Sequence, residues 1–97
     1  MQVNVPTLVW DELAEATLYY ERQSSGLGAE LLQEVSDCLD EIARAPEHPR
    51  LRALGYRRVN VNRFPFYIAY SIEAGQVVVL AIGHAARLPE YWIDRLP

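Results

Sequence analysis

Residues 64–83 read FPFYIAYSIEAGQVVVLAIG, two apolar runs on either side of the tripeptide Glu73-Ala74-Gly75. The runs are rich in aromatic and β-branched residues, and a short Gly-containing break between such runs is typical of a β-hairpin. The run from Val77 to Ile82 is apolar at every position, which indicates a central strand covered on both faces. This stretch therefore predicts two antiparallel strands at the centre of a sheet, and the rest of the chain must supply both covers.

Two further strands are predicted before the hairpin in the sequence. Residues 56–61, YRRVNV, alternate in character and predict a third antiparallel strand directly before the hairpin. Residues Gln2 to Val5 alternate briefly and predict an edge strand that ends at Pro6.

Apolar positions at helical spacing predict two helices between these strands. The first begins at Trp10 and carries the acids Asp11, Glu12 and Glu15 in its first turns, where the helix dipole favours negative charge. Ser and Gly in SSGLG, residues 24–28, break the pattern, which restarts and ends before the prolines at 46 and 49. Two helices joined by so short a turn predict an antiparallel hairpin that covers one face of the sheet.

The C-terminal segment from Pro89 to Leu96 is the candidate cover for the other face. Proline suits a first helical turn, and Trp92 and Leu96 would share one side of a short helix. The sequence thus predicts one α+β domain over residues 1–97, in the order β-α-α-β-β-β with a short C-terminal helix.

Charge is unevenly divided along the chain. The net charge of −4 argues against broad affinity for nucleic acids. Residues 1–48 hold ten acids and two Arg, whereas residues 49–97 hold seven Arg and three acids, and there is no Lys.

The single cysteine, Cys38, excludes an internal disulfide and a Cys-based metal site. Without a signal-peptide pattern or an apolar run near ~18 residues, we expect a cytoplasmic protein that does not enter membranes.

Five of the nine arginines lie between residues 50 and 63, a stretch without an acid. Several of them alternate with aromatic residues, a mixture typical of interface hot spots. Two interpretations are open: the arginines form a binding face for an anionic partner, or they pair with the acidic first half. On the first interpretation, the partner-binding residues are Tyr56, Arg57, Arg58, Arg63, Phe64, Phe66 and Trp92.

The segment GHAARLPEYWIDR, residues 83–95, follows the last predicted strand. His84 as general base, Arg87 as phosphate clamp and Tyr91 as general acid would suit a ribonuclease. The alternative is structural. His84 then anchors a strand end, Arg87 pairs with an acid of the first helix, and Tyr91 closes the core with Trp92.

Three motifs give the chain a resemblance to a known family: Tyr-Tyr-Glu with Gly-Leu-Gly around the helical turn, Arg-Phe-Pro-Phe-Tyr-Ile-x-Tyr, and His-x-x-Arg-x-Pro-x-Tyr-Trp. From about Leu13 to Arg95 the chain resembles the RelE/ParE superfamily of bacterial toxins from type II toxin–antitoxin systems, especially its ParE-like, plasmid-stabilisation branch. The family fold, two helices against a small antiparallel sheet, agrees with the pattern above.

The resemblance implies a growth-arresting toxin, without metal or cofactor, that a cognate antitoxin holds inactive in a hetero-oligomer. The antitoxin's C-terminal segment would add a strand or helix along the sheet. RelE-like members cleave mRNA in the ribosomal A site, whereas ParE-like members are similar toxins that bind DNA gyrase and stall it in its cleaved state.

Departures from the RelE-like pattern favour the gyrase mechanism. The strand at 57–61 has no Lys, Tyr67 stands where RelE-like nucleases carry Arg, and Ala85 or Ala86 stands where another Arg is expected. Arg cannot replace Lys in proton transfer because it keeps its proton at accessible pH. We therefore expect a gyrase-poisoning toxin. The alternatives are ribosome-dependent mRNA cleavage and a degenerate toxin that only binds antitoxin.

Overall fold

The computed structural model describes residues 1–97 and contains four strands and two helices. The strands are β1 (Val3–Asn4), β2 (Arg57–Asn60), β3 (Phe66–Glu73) and β4 (Gln76–His84), and the helices are α1 (Thr7–Gln23) and α2 (Leu27–Arg44). A 3-10 turn, Ile93–Arg95, lies near the C-terminus. The α+β class and the predicted order of strands and helices are confirmed.

Helix α1 begins one turn earlier than the sequence predicts. Its first residue is Thr7 rather than Trp10, and Pro6 precedes it in an extended conformation. The first turn therefore holds no acid, and Asp11 lies in the second turn, so the predicted interaction of the acids with the helix start is wrong. Val9 is only 1% exposed, and its burial in the core extends the helix beyond the stretch where the periodicity is clear.

The turn between the helices is closed by Glu21. Its carboxylate accepts hydrogen bonds from the Gly26 N–H (2.8 Å) and the Gly28 N–H (3.0 Å). Backbone donors at a helix start have no partner within the helix, so this carboxylate satisfies two of them. Gly26 has a φ of 89°, and a Cβ on Gly28 would lie 2.7 Å from the Thr17 carbonyl oxygen. The Tyr-Tyr-Glu and Gly-Leu-Gly motifs thus form one joint.

The sheet has the strand order β1-β4-β3-β2. The pairs β2–β3 and β3–β4 are antiparallel, as predicted, and β4 lies inside the sheet. Strand β1 adds a parallel pair, with Val3 opposite Val77, so the complete sheet is mixed. The predicted edge strand at the N-terminus is confirmed, although it is only two residues long.

A β-bulge interrupts the pairing of β3 with β4. Ala69 pairs with Ala81 and Tyr70 pairs with Val79, which leaves Leu80 as an extra residue. Because of this insertion, Leu80 and its neighbour Ala81 both pack on the face of the sheet opposite the helices.

Side-chain alternation along the strands creates two separate cores. The helix-side core, between the helical hairpin and the sheet, consists of Val9, Leu13, Leu31, Val35, Cys38, Ile42, Val61, Phe66, Ile68, Tyr70, Val77, Val79 and Ile82. The tail-side core, between the sheet and the C-terminal segment, consists of Tyr56, Tyr67, Ala69, Leu80, Ala81 and Trp92. The predicted covering of the central strand on both faces is confirmed.

The C-terminal segment covers the sheet without forming the predicted helix over Pro89–Leu96. Glu90 has a φ of 58°, which ends any helical conformation there, and only the 3-10 turn Ile93–Arg95 follows. Trp92 is nevertheless 1% exposed, because the turn places its ring against the sheet.

Candidate functional site

A cleft of about 400 Å³ opens where β4 ends, between α1 and the C-terminal segment. His84, Arg87 and Tyr91, the three residues of the predicted nuclease site, all line this cleft. Glu12 and Glu15 of α1 line it as well, together with Ala16, Tyr19, Tyr20, Phe66 and Ile82. The structure thus brings the three predicted residues together and adds two carboxylates that the sequence had not placed there.

The imidazole of His84 is engaged at the end of β4. Its Nδ1 accepts a hydrogen bond of 3.0 Å from the Ala86 N–H, and its ring lies edge-on to Phe66 with centroids 5.1 Å apart. A neutral ring in this arrangement carries its proton on Nε2, so the lone pair that a general base needs is already occupied. The geometry agrees with the interpretation of His84 as an anchor.

Arg87 and Tyr91, which both line the cleft, are stacked on each other. The guanidinium carbon of Arg87 lies 3.8 Å from the centroid of the Tyr91 ring. Burial raises the pKa of the Tyr91 phenol, and the negative charge of Glu12 raises it further. A general acid works best with a pKa near the ambient pH, so this environment makes Tyr91 less suited to that role.

The charges of the α1 wall oppose RNA binding. Glu12 is neutralised by an ion pair with Arg95, but Glu15 belongs to no ion pair of the chain. A phosphate held by Arg87 would approach the free carboxylate of Glu15 in the same cleft, and such like-charge contacts are unfavourable.

Arg95 fastens the C-terminal segment, a role that the sequence did not reveal. Its guanidinium donates two hydrogen bonds of 2.9 Å to the Glu12 carboxylate and one of 3.0 Å to the Leu80 carbonyl oxygen. The bidentate bond to Glu12 is the main cause of a raised pKa at Arg95. The structural interpretation placed Arg87 against an acid of the first helix, but Arg87 forms no ion pair, and Arg95 makes this contact instead.

Three of the predicted partner-binding residues, Tyr56, Phe66 and Trp92, are buried in the two cores. The Tyr56 ring meets the Trp92 ring edge to face at 4.6 Å, and its hydroxyl donates to the Glu90 carboxylate. The Trp92 Nε1–H donates to the Tyr67 hydroxyl at 2.8 Å. Tyr56 and Trp92 thus hold the C-terminal segment against the sheet, and all three buried residues offer little surface to a partner.

Arg57 and Arg58 lie on opposite faces of the sheet, because neighbouring side chains of a strand alternate. Arg57 donates to the carbonyl oxygens of Glu47 (3.1 Å) and Pro49 (2.6 Å) and so holds the loop after α2. Arg58 lies over the Tyr67 ring, 3.7 Å from its centroid, and pairs with no carboxylate.

Arg63 and Phe64 turn away from β2 towards the helices. Arg63 has a φ of 68° and forms ion pairs with Glu30 (3.3 Å) and Glu34 (3.5 Å) of α2. Phe64 packs edge to face on Tyr20, with centroids 5.4 Å apart. The seven residues predicted to bind a partner therefore do not form one continuous surface. Pairing with the acidic half accounts for Arg63.

The comparisons with known proteins agree with this fold. The family model described as the ParE toxin of type II toxin-antitoxin system, parDE, matches residues 5–89. The chain belongs to the ParE toxin family. The resemblance predicted from the three motifs is thereby confirmed. The chain is also similar in structure to the chromosomal ParDE TA system from P. aeruginosa, with a TM-score of 0.64 and 16% identity over 87% of this chain and 95% of that chain. At this identity the similarity shows a shared fold, and no curated protein matches the chain.

In this ParE-family chain, β2 is the last strand of the sheet and presents an open edge. The Val61 N–H donates to the Phe66 carbonyl oxygen. Because bonded and non-bonded residues alternate in an antiparallel pair, Arg58 and Asn60 direct their backbone groups away from β3. A groove of about 580 Å³, whose lining includes Ile42, Val59 and Tyr70, lies beside this edge.

The chain forms neither a metal site nor a membrane-spanning helix. No group of three or more His, Cys, Asp or Glu side chains is arranged to hold a metal ion. Neither helix is long and apolar enough to cross a membrane.

Proposed function

We propose that this chain is a cytoplasmic toxin that a cognate antitoxin neutralises in a hetero-oligomer, and that it arrests growth by binding and poisoning DNA gyrase. The observation that supports a mechanism without chemistry is the state of the cleft at the end of β4. In this cleft the Nδ1 lone pair of His84 already accepts a hydrogen bond, and Glu15 of α1 presents a carboxylate without an ion-pair partner.

Cleavage of RNA at the 2′-hydroxyl needs a base, a cation on the phosphate and an acid for the leaving oxygen. No candidate in the cleft is well suited to its role. His84 accepts a hydrogen bond from a backbone N–H, the guanidinium of Arg87 stacks on an aromatic ring, and the pKa of the Tyr91 phenol is raised. Binding to a target requires none of these three roles, and this comparison favours gyrase poisoning.

The open edge of β2 supports neutralisation by an antitoxin segment. An extended peptide can add to such an edge through main-chain hydrogen bonds, while side-chain pockets beside the edge give specificity. Arg58 lies on this edge and has no carboxylate partner in the chain, in contrast to Arg63. Arg58 is therefore the residue with which a carboxylate of an acidic and hydrophobic antitoxin segment would pair at this edge.

The antitoxin interaction can be tested with a charge reversal. We expect Arg58→Glu to weaken antitoxin binding by roughly tenfold or more, because an acid would then face the acidic segment. The matched control is Arg22→Glu, in the exposed last turn of α1, which should change the dissociation constant by less than about threefold. Calorimetric titration at moderate salt measures both, and an unchanged dissociation constant for Arg58→Glu would contradict this part of the proposal.

The target can be tested with purified components. We expect the chain to accumulate cleaved DNA when it is mixed with gyrase and supercoiled plasmid, and to leave mRNA intact on translating ribosomes. Cleavage of mRNA at A-site codons without an effect on gyrase would establish the ribonuclease alternative. No effect in either assay, with antitoxin binding intact, would identify a degenerate toxin.

The ribonuclease alternative rests on one specific observation, the convergence of His84, Arg87 and Tyr91 on a single cleft. If it were correct, the Ala86 N–H would have to release Nδ1 of His84 when the ribosome binds. Removal of the Tyr91 hydroxyl separates this alternative from the gyrase mechanism.

A further inference from the structure

One stripe of α1 combines exposed apolar and acidic side chains. Residues 8, 11, 15 and 18 follow each other at intervals of three and four, so they lie along one side of the helix. Leu8 and Leu18 are 53% and 56% exposed, and the adjoining Tyr19 is 59% exposed. We call this stripe, with Leu8, Asp11, Glu15, Leu18 and Tyr19, the α1 seam.

The two acids of the α1 seam have no partner within the chain. The ion pairs of the molecule use Arg63 and Arg95, and neither contacts Asp11 or Glu15. The chain has no Lys, and α1 has no basic residue before Arg22. Two free carboxylates therefore extend from positions one helical turn apart, with Cβ atoms ~6 Å from each other, between two exposed leucines.

The α1 seam borders the cleft at the end of β4, because Glu15 and Tyr19 also line that cleft. Within the cleft, the guanidinium of Arg87 already stacks on an aromatic ring at 3.8 Å. The exposed ring of Tyr19 offers a second aromatic face beside a free carboxylate, which is a favourable setting for another cation.

We propose that the α1 seam docks a basic amphipathic helix of a partner protein. Two Arg or Lys side chains four residues apart on that helix meet Asp11 and Glu15, and its apolar side chains cover Leu8 and Leu18. The equal spacing of charges on the two helices allows packing along about three turns. This surface lies on α1 rather than on the β2 edge, and it selects the opposite charge from an acidic antitoxin segment, so the inference goes beyond the proposed function.

Synthetic peptides and the full-length chain test this docking. The probe is an amphipathic helical peptide of about five turns with two Arg four residues apart between leucines, and matched peptides carry Gln or Glu instead of Arg. By fluorescence anisotropy at low salt, we expect the Arg peptide to bind roughly tenfold more tightly than the Gln peptide, and to weaken as salt rises.

Charge-neutralising variants then locate the contact. The double variant Asp11→Asn with Glu15→Gln should weaken binding of the Arg peptide by roughly tenfold. The control pair, Glu47→Gln with Glu73→Gln, makes the same change in net charge at two exposed acids outside α1 and should have less than about a twofold effect. All four acids are exposed, and equal thermal midpoints confirm that the variants remain folded.

Three results would overturn the proposal. The first is no binding of the Arg peptide, or an equal loss in the control pair. The second is tighter binding of the Glu peptide that is lost in Arg87→Gln, which would assign the surface to an acidic segment. The third is self-association of the chain that the Arg peptide displaces, which would assign the surface to a second copy. No gyrase assay enters this experiment, so each result leaves the gyrase proposal to its own test.

Discussion

The helix-side core and the tail-side core lie on opposite faces of one sheet and are closed by different interactions. Thirteen buried residues make the helix-side core. Twelve of them lie in α1, α2, β3 and β4, the last is Val61 directly after β2, and apolar contacts dominate this core. Six residues make the tail-side core, and side-chain hydrogen bonds hold the C-terminal segment on it. These bonds join Arg95 to Glu12 and Leu80, Tyr56 to Glu90, and Trp92 to Tyr67.

The two kinds of closure indicate where the molecule can change shape. Burial spread over many side chains is lost only when the whole fold opens, whereas a segment held by a few polar bonds can open alone. The C-terminal segment also forms one wall of the candidate site, with Arg87 and Tyr91. A partner could therefore alter that wall without disturbing the helical hairpin.

The largest effect should come from the helix-side core. Leu31 is fully buried in it, and we expect Leu31→Ala to lower the free energy of unfolding by about 3 kcal/mol because the lost methyl groups leave a cavity. Urea denaturation should show one shifted transition for the whole chain. A loss below about 1 kcal/mol would show that apolar burial is not what holds the helix-side core together.

A smaller and more local effect should come from the tail-side core. Arg95→Ala leaves the Glu12 carboxylate and the Leu80 carbonyl oxygen without their donor, and we expect a loss of about 2 kcal/mol. Amide hydrogen exchange should accelerate at residues 91–96 and remain slow in α2. Arg87→Ala, which removes an exposed stacked arginine of the same segment, is the control and should cost under about 1 kcal/mol. Equal acceleration throughout the chain would show that the segment does not open alone.

The smallest effect is a dependence of stability on alkaline pH. Burial, with a contribution from Glu41, raises the pKa of the Cys38 thiol to about 11. Because this value exceeds the ordinary thiol pKa of 9.0, the stabilisation is present below that pH and is lost as pH rises towards 11. At pH 10 we expect the loss to be about 1.5 kcal/mol. Cys38→Ala should remove this slope, and the same slope in both proteins would assign it to other groups such as the tyrosines.

The sequence predicted the parts of the fold that local patterns control. The hairpin at residues 64–83 and the two helices follow from apolar periodicity, and the glycines of residues 24–28 mark the turn that Glu21 closes. The start of α1 was missed because Val9 owes its place to burial rather than to periodicity.

The candidate site was predicted less completely, because tertiary contacts decide it. The bulge at Leu80 is a pairing irregularity that apolar periodicity does not encode, and Arg95 bonds to Glu12, 83 positions away in the chain. Strand alternation could have separated Arg57 from Arg58, since neighbours on a strand face opposite ways. The positive φ of Arg63, which turns its side chain to α2, left no signal in the sequence.

Growth arrest by the Tyr91→Phe variant, measured in cells that lack the antitoxin, decides between target binding and proton donation at the C-terminal cluster. The Tyr91 hydroxyl makes no hydrogen bond within the chain, so its removal should preserve the fold and the affinity for antitoxin. If the C-terminal cluster closes a binding surface, the variant arrests growth as strongly as the unmodified chain. Loss of growth arrest with fold and antitoxin affinity intact would mean that the phenol donates a proton, and would contradict a mechanism of binding alone.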